Sequence, residues 1–230
     1  MNQNGSMIKK LYKFRFVIFL GTQLAILFGS LFFPSEFFEF TLLPLLYLVS
    51  ILAGILMISK RKKLTWFFIL LFVVSAGIFG SSMIYRQESQ SDILMRLSIY
   101  FVFHTVVTWN IIQQVWRAKF VNRNVILGLM SGYISLGFLA FFLFMSIELT
   151  NPGAFQGILM KNGTLDIKSE AILYYAYITL LTIGYGEIVP SIPIAQKAAM
   201  LVGLMGQFYM VIITAVVVEK YIKHSEKKKD

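Results

Sequence analysis

Six apolar runs, each close to the length of a bilayer-spanning helix, leave this chain few ways to fold. Spanning takes roughly 20 mostly apolar residues, because the hydrocarbon layer is about 30 Å thick and a helix rises about 1.5 Å per residue. Inside that layer an unpaired backbone N–H or C=O has no water to bind, so only helices and closed barrels cross it. Runs this long exclude barrel strands. They fall at about residues 16–33, 37–59, 64–85, 93–116, 125–147 and 191–221. The first is nearer a span than a signal-peptide core, and it lacks an obvious small-residue cleavage site, so it reads as a retained span. Pro44 is expected to kink the second. The predicted fold class is an all-α membrane protein with six transmembrane helices. Composition agrees: 57% of residues are hydrophobic and 14% charged, against about half and a quarter in soluble domains. With no cysteine there is no disulfide or thiol chemistry.

The net charge of +10 could suggest nucleic acid, but its distribution points to a membrane. Sixteen of the 21 basic residues fall on one side of the six-span layout, in the N-terminal arm, the Lys60–Lys63 cluster, the Arg117–Arg123 connector and the lysine-rich tail. Eight of the 11 acidic residues fall on the other side. The positive-inside rule then puts both termini in the cytoplasm. The expected location is the plasma membrane (the inner membrane in a bacterial cell), multi-pass, with the lipid bilayer as partner and no nucleic acid.

Between the fifth and sixth runs lies Thr182-Ile183-Gly184-Tyr185-Gly186-Glu187, preceded by an amphipathic segment from Glu170 to Leu181. That order suits a chain that dips into the membrane from one side and turns back. A cation entering a narrow pore must exchange water oxygens for protein oxygens. Successive backbone carbonyls supply them if they face the same way, which requires unusual φ/ψ values that Gly184 and Gly186 adopt without Cβ strain. Thr182 can add a hydroxyl at the inner end, and Tyr185 can pack outward to hold the strand at a fixed diameter. The orientation rule, applied without this motif, places its Glu187 end outside.

These residues resemble the potassium channel pore family, with Ile183 in place of valine and Glu187 in place of aspartate. More broadly, residues 120–221 look like a bacterial ion channel family with one pore domain, through Val125-Ile126-Leu127-Gly128, Glu148-Leu149, Asn151-Pro152-Gly153 and Gly206-Gln207-Phe208-Tyr209. The first four spans resemble it only in layout. The resemblance implies a re-entrant pore helix, a selectivity filter and a homotetramer, since one chain supplies one strand of a fourfold ring. Residues 125–230 would form the pore domain: outer helix, pore helix, filter, inner helix and a short basic tail. Residues 1–124 would form a four-span N-terminal domain. K+ would be bound at Thr182, Ile183, Gly184 and Tyr185, with Gly186 completing the filter. It is the permeant ion, and no cofactor is implied.

Around the filter, Ser169 can cap the pore helix and Glu170 complements its dipole. Tyr174 and Tyr175 match the family's aromatic pair beside the filter, and Glu187 can attract cations or anchor the strand by a hydrogen bond. Gly206 lies where the family commonly has a hinge glycine, although close helix packing explains such a glycine equally well. If the register holds, Gln207, Met210, Thr214, Ala215 and Val218 face the cavity and gate. Leu181 departs from the common pair of threonines before the filter glycines.

A voltage sensor carries basic residues every third position along its fourth span. Here Arg96 and Arg117 bracket a polar, uncharged stretch containing His104. Strong voltage gating is therefore not expected. His104 could sense protons, though a packing role is the simpler reading. The residues after Lys220 are too few for a sensory domain. No Walker-type loop, zinc ligand set or Ser/His/Asp arrangement is present, so no catalytic site is expected. A weakly selective cation pore stays open, because some such channels also carry isoleucine before Gly-Tyr-Gly. A potassium-transporter subunit would use several degenerate filter loops in one chain, and a non-conducting membrane protein would be a third class.

Overall fold

The computed structural model describes residues 14–34, 37–58, 62–85, 90–117, 122–158 and 165–226. The N-terminal arm, the Ser35-Glu36 turn, the basic residues 59–61, the loop at 86–89, most of the connector after Arg117, the Asn162-Gly163 turn and the tail beyond Glu226 lie outside them.

The described residues are almost all helical: α1 (Arg15–Phe28), α2 (Leu43–Ile58), α3 (Lys62–Tyr85), α4 (Gln90–Arg117), α5 (Arg123–Thr150), α6 (Leu165–Leu180) and α7 (Pro193–Glu226). Two-residue strands β1 (Phe155–Gln156) and β2 (Val189–Pro190) pair antiparallel, which the apolar pattern did not announce. Among the described residues, three helices are long and apolar enough to cross a membrane: Leu94–Arg117, Arg123–Thr150 and Pro193–Glu219. Arg15–Leu31, Leu43–Leu56 and Lys63–Ile78 are shorter apolar helices. The protein is thus multi-pass, with several candidate spans.

Pro44 lies just past a π-helical turn, Phe38–Leu42, in a helical run that continues without a break from Phe37 to Ile58. A proline has no N–H to donate and crowds the carbonyl four residues back, so the widened turn is where the irregularity falls. One sequence expectation is corrected. Ser169 is not an N-cap, because α6 already begins at Leu165 and Ser169 lies in its second turn. Glu170 is accordingly past the first turn, too far in to complement the dipole strongly.

Packing divides the chain into two compact units, Met1–Val115 with Arg123–Gly132, and Trp116–Asn122 with Tyr133–Asp230. In the first, α1 packs on α2 and α2 on α3. Phe103 is the hub, meeting Phe19 at 6.4 Å and Phe68 at 5.3 Å between ring centroids. Tyr47 stacks on Tyr100 at 4.4 Å. In hydrocarbon there is no water to exclude between helices, so such interlocking contacts and interhelical hydrogen bonds hold the bundle. Two such bonds run from Gln23 Nε2 to the Ser131 carbonyl at 3.2 Å and from Ser75 Oγ to Tyr100 Oη at 3.3 Å. His104 is fully buried, edge-on to Phe103 at 5.0 Å.

In the second unit, α6 lies between the C-terminal part of α5 and the buried stripe of α7. That stripe is Ala195, Ala198, Val202, Gly206 and Tyr209, spaced three and four residues apart so that they line one side of the helix. The rest of α7 is open: only 17% of its apolar window is buried, against 67% for α5.

Candidate functional site

The site begins where α6 stops. Leu181 N–H bonds the Tyr177 carbonyl at 2.8 Å, Thr182 N–H bonds Thr179 at 3.0 Å, and Ile183 N–H bonds Ile178 at 2.9 Å. The last two form a Schellman closure, with Thr182 at the left-handed position. Its φ is +57°, where glycine is usual and a β-branched residue is strained. A fourth terminal carbonyl, Leu180, accepts from Tyr133 Oη at 3.3 Å. All four terminal carbonyls of α6 are therefore satisfied, as a helix ending in a water-poor setting demands.

Beyond that closure, positive φ recurs at Gly184 (56°) and Gly186 (94°) but not at Ile183 or Tyr185. In a β-strand successive carbonyls point to opposite sides. Alternating the hand of the backbone from residue to residue turns them toward a common side, which suits a row of cation ligands. The C-terminal end of α6, with its partial negative charge, adjoins this row. Residues 181–187 are all exposed in the single chain, and nothing lies within 4 Å of where a Cβ would stand on Gly184 or Gly186.

α6 is pinned on both sides. Tyr177 Oη donates to the Ile134 carbonyl of α5 at 2.8 Å, and its ring occupies the space that a Cβ on Gly137 would need. Together with the Tyr133–Leu180 bond, this makes a reciprocal pair of tyrosine clasps between α5 and α6. On the other side, a Cβ at Gly206 would overlap the Leu180 carbonyl oxygen. Gly206 therefore brings α7 into backbone contact with the end of α6, so the close-packing explanation has a direct observation behind it. Gln207, the next residue, donates from Nε2 to Thr182 Oγ1 at 3.2 Å. Met210, Thr214, Ala215 and Val218 are exposed on α7, with Thr214 Oγ1 bonded back to the Met210 carbonyl at 2.7 Å.

At the outer end the two tyrosines separate, as neighbours about 100° apart on a helix must. Tyr175 is buried in a ring triad with Phe144 and Phe155, at 5.0 and 5.2 Å. Tyr174 is exposed and hydrogen-bonds Glu187. That bond, then desolvation and the nearby Glu187 charge, push the phenol's pKa up to about 12, so it keeps its proton at neutral pH.

A second layer, absent from the sequence reading, holds the exit of the stretch. Buried Glu148 at the end of α5 accepts from the Gly153 N–H at 2.9 Å and the Phe155 N–H at 3.2 Å. This shapes the loop whose Phe155 and Gln156 pair with Pro190 and Val189. Ser191 closes it, with N–H to the Ala154 carbonyl and Oγ to the Gly153 carbonyl, both at 2.8 Å. Gly157, at φ +91°, packs so closely that a Cβ there would overlap the Glu187 carbonyl. One signal in the sequence pointed here: an acidic residue ending an apolar helix, just before an Asn-Pro-Gly turn. Among the described residues, no cluster of three or more His, Asp or Glu could hold a metal ion.

Residues 138–223 match the protein-family model described as Ion channel, which covers just under half of α5, all of α6, the Thr182–Glu187 stretch and nearly all of α7. This part of the chain is similar to an ion channel domain, and the matched family is not an enzyme family. The chain matches no curated protein and no solved structure.

Proposed function

We propose that the protein conducts K+ passively and selectively across the plasma membrane through a homotetrameric pore. The observation that carries this reading is the φ alternation at Thr182, Gly184 and Gly186, on a stretch left open in the single chain. A strand of cation-facing carbonyls with nothing opposite it suits one quarter of a ring. The bare surface of α7 supports the same assembly, because a helix hydrophobic nearly all round needs lipid, further subunits and a wet cavity about it. In this reading Thr182, Ile183, Gly184 and Tyr185 bind K+ and Gly186 completes the filter. Tyr174, Tyr175 and Glu187 support it, and Gly206, Gln207, Met210, Thr214, Ala215 and Val218 line the cavity and gate. Residues 125–230 act as the pore domain and residues 1–124 as a six-span layout's first four spans, with both termini cytoplasmic.

Voltage is not the main stimulus. Between Arg96 and Arg117, α4 has no basic residue, and His104 is packed against Phe103. The test is reconstitution of the purified protein in liposomes and planar bilayers. K+ should move down its gradient while Na+ is rejected. Equal passage of the two would leave a weakly selective cation channel instead.

A further inference from the structure

We infer that Gln207 is a positioning residue for the innermost ion site: its amide, docked on Thr182 Oγ1, sets how that hydroxyl meets the ion. The inference rests on the filter reading above and goes beyond lining a cavity. A threonine hydroxyl has one proton and two acceptor lone pairs. At 3.2 Å the Gln207 Nε2 occupies one acceptor position, which holds the hydroxyl in one rotamer and leaves the other lone pair for a cation. Thr182 is the residue that needs such help. It sits in the left-handed region at φ +57°, where its β-branched side chain is strained and its rotamer is not fixed by a regular helix or strand.

The bond also ties the base of the stretch to α7. Gln207 follows Gly206, whose backbone lies against the Leu180 carbonyl at the end of α6. α7 therefore touches the base of the stretch twice in succession, once through backbone and once through side chain. A shift or rotation of α7 that opened the cytoplasmic end would stretch the Gln207–Thr182 bond first, since it is a single long side chain rather than a packed surface. Occupancy of the innermost site and the position of α7 are thereby coupled, and the coupling is reciprocal.

The experiment is a double-mutant cycle on the full-length tetramer in planar bilayers, read by block from cytoplasmic Ba2+, a divalent cation of nearly the size of K+. Gln207→Leu keeps the bulk and removes the amide, while Thr182→Ala removes the hydroxyl. Gln207→Leu should raise the half-blocking Ba2+ concentration about fivefold or more, as loss of one oriented hydrogen bond per subunit implies. In the Thr182→Ala background the same change should move it less than about twofold. Equal effects in both backgrounds, or unchanged or tighter block in Gln207→Leu, would overturn the inference while native K+ conduction left the channel reading intact. Absence of conduction by the native protein would overturn both. Gln207→Met runs beside the leucine variant, and calorimetric K+ binding to detergent-purified tetramers reads the same cycle without conduction.

Discussion

The two ends of the Thr182–Glu187 stretch are held in different ways. The outer end is built into the chain's own framework. Gly157 lies against the Glu187 backbone, β1 pairs with β2 just beyond it, Ser191 ties the loop down, and Glu148 organises the loop from the end of α5. The inner end is held by the return turn of α6 and by Gln207 reaching across from α7. One end is thus fixed to elements whose backbones are mutually paired, and the other is linked to a long helix with most of its surface bare. The proposed pore would select at one end and gate at the other, and this asymmetry suits it, because packed elements switch between discrete arrangements and do not deform smoothly.

Substitutions can break or sharpen the contrast. The largest effect is expected at the outer end. Gly157→Ala puts a methyl group into the Glu187 carbonyl at a positive φ, which should cost about 3 kcal/mol or more. It should appear as loss of folded tetramer in size-exclusion and thermal-unfolding measurements. Next is Glu148→Gln. A glutamine side chain cannot present two acceptor oxygens to the Gly153 and Phe155 N–H groups, so about 1–3 kcal/mol should be lost, with a lower unfolding midpoint in detergent.

At the inner end, Thr182→Gly should cost little stability. Relief of left-handed strain, offset by glycine's greater unfolded-state freedom and by loss of the Gln207 hydrogen bond, should leave stability within about 0.5 kcal/mol of the native chain, while loss of the hydroxyl weakens the proposed innermost ion site. An unfolding midpoint no lower than native together with weaker Ba2+ block would mark Thr182 as a residue kept for function. The smallest effect is expected for Tyr174→Phe. Its bond to Glu187 is exposed to solvent, and the unfolding midpoint should move by less than about 2 °C.

The residues explain why some of this was readable in advance. Helix identity followed from uninterrupted apolar runs, because in hydrocarbon a run that long has one backbone solution. The Thr182–Gly186 stretch was legible because glycines at alternate positions announce an unusual backbone directly. The clamps were not, since each joins residues far apart in sequence: Gly157 to Glu187, Tyr133 to Leu180, Gln207 to Thr182. Nothing local in Gly157 distinguishes a turn glycine from one pressed against another backbone. Ser169 misled because serine before an apolar segment looks like a cap, whereas α6 already begins one turn upstream, at Leu165.

The most direct measurement is the reversal potential of purified, reconstituted protein with K+ on one side of a planar bilayer and Na+ on the other. Selective conduction through a ring of Thr182–Gly186 strands predicts a potential set by the K+ gradient and lost in Gly184→Asp, where a charged side chain would enter the ion path. A reversal potential near zero, or current that survives Gly184→Asp, would contradict it.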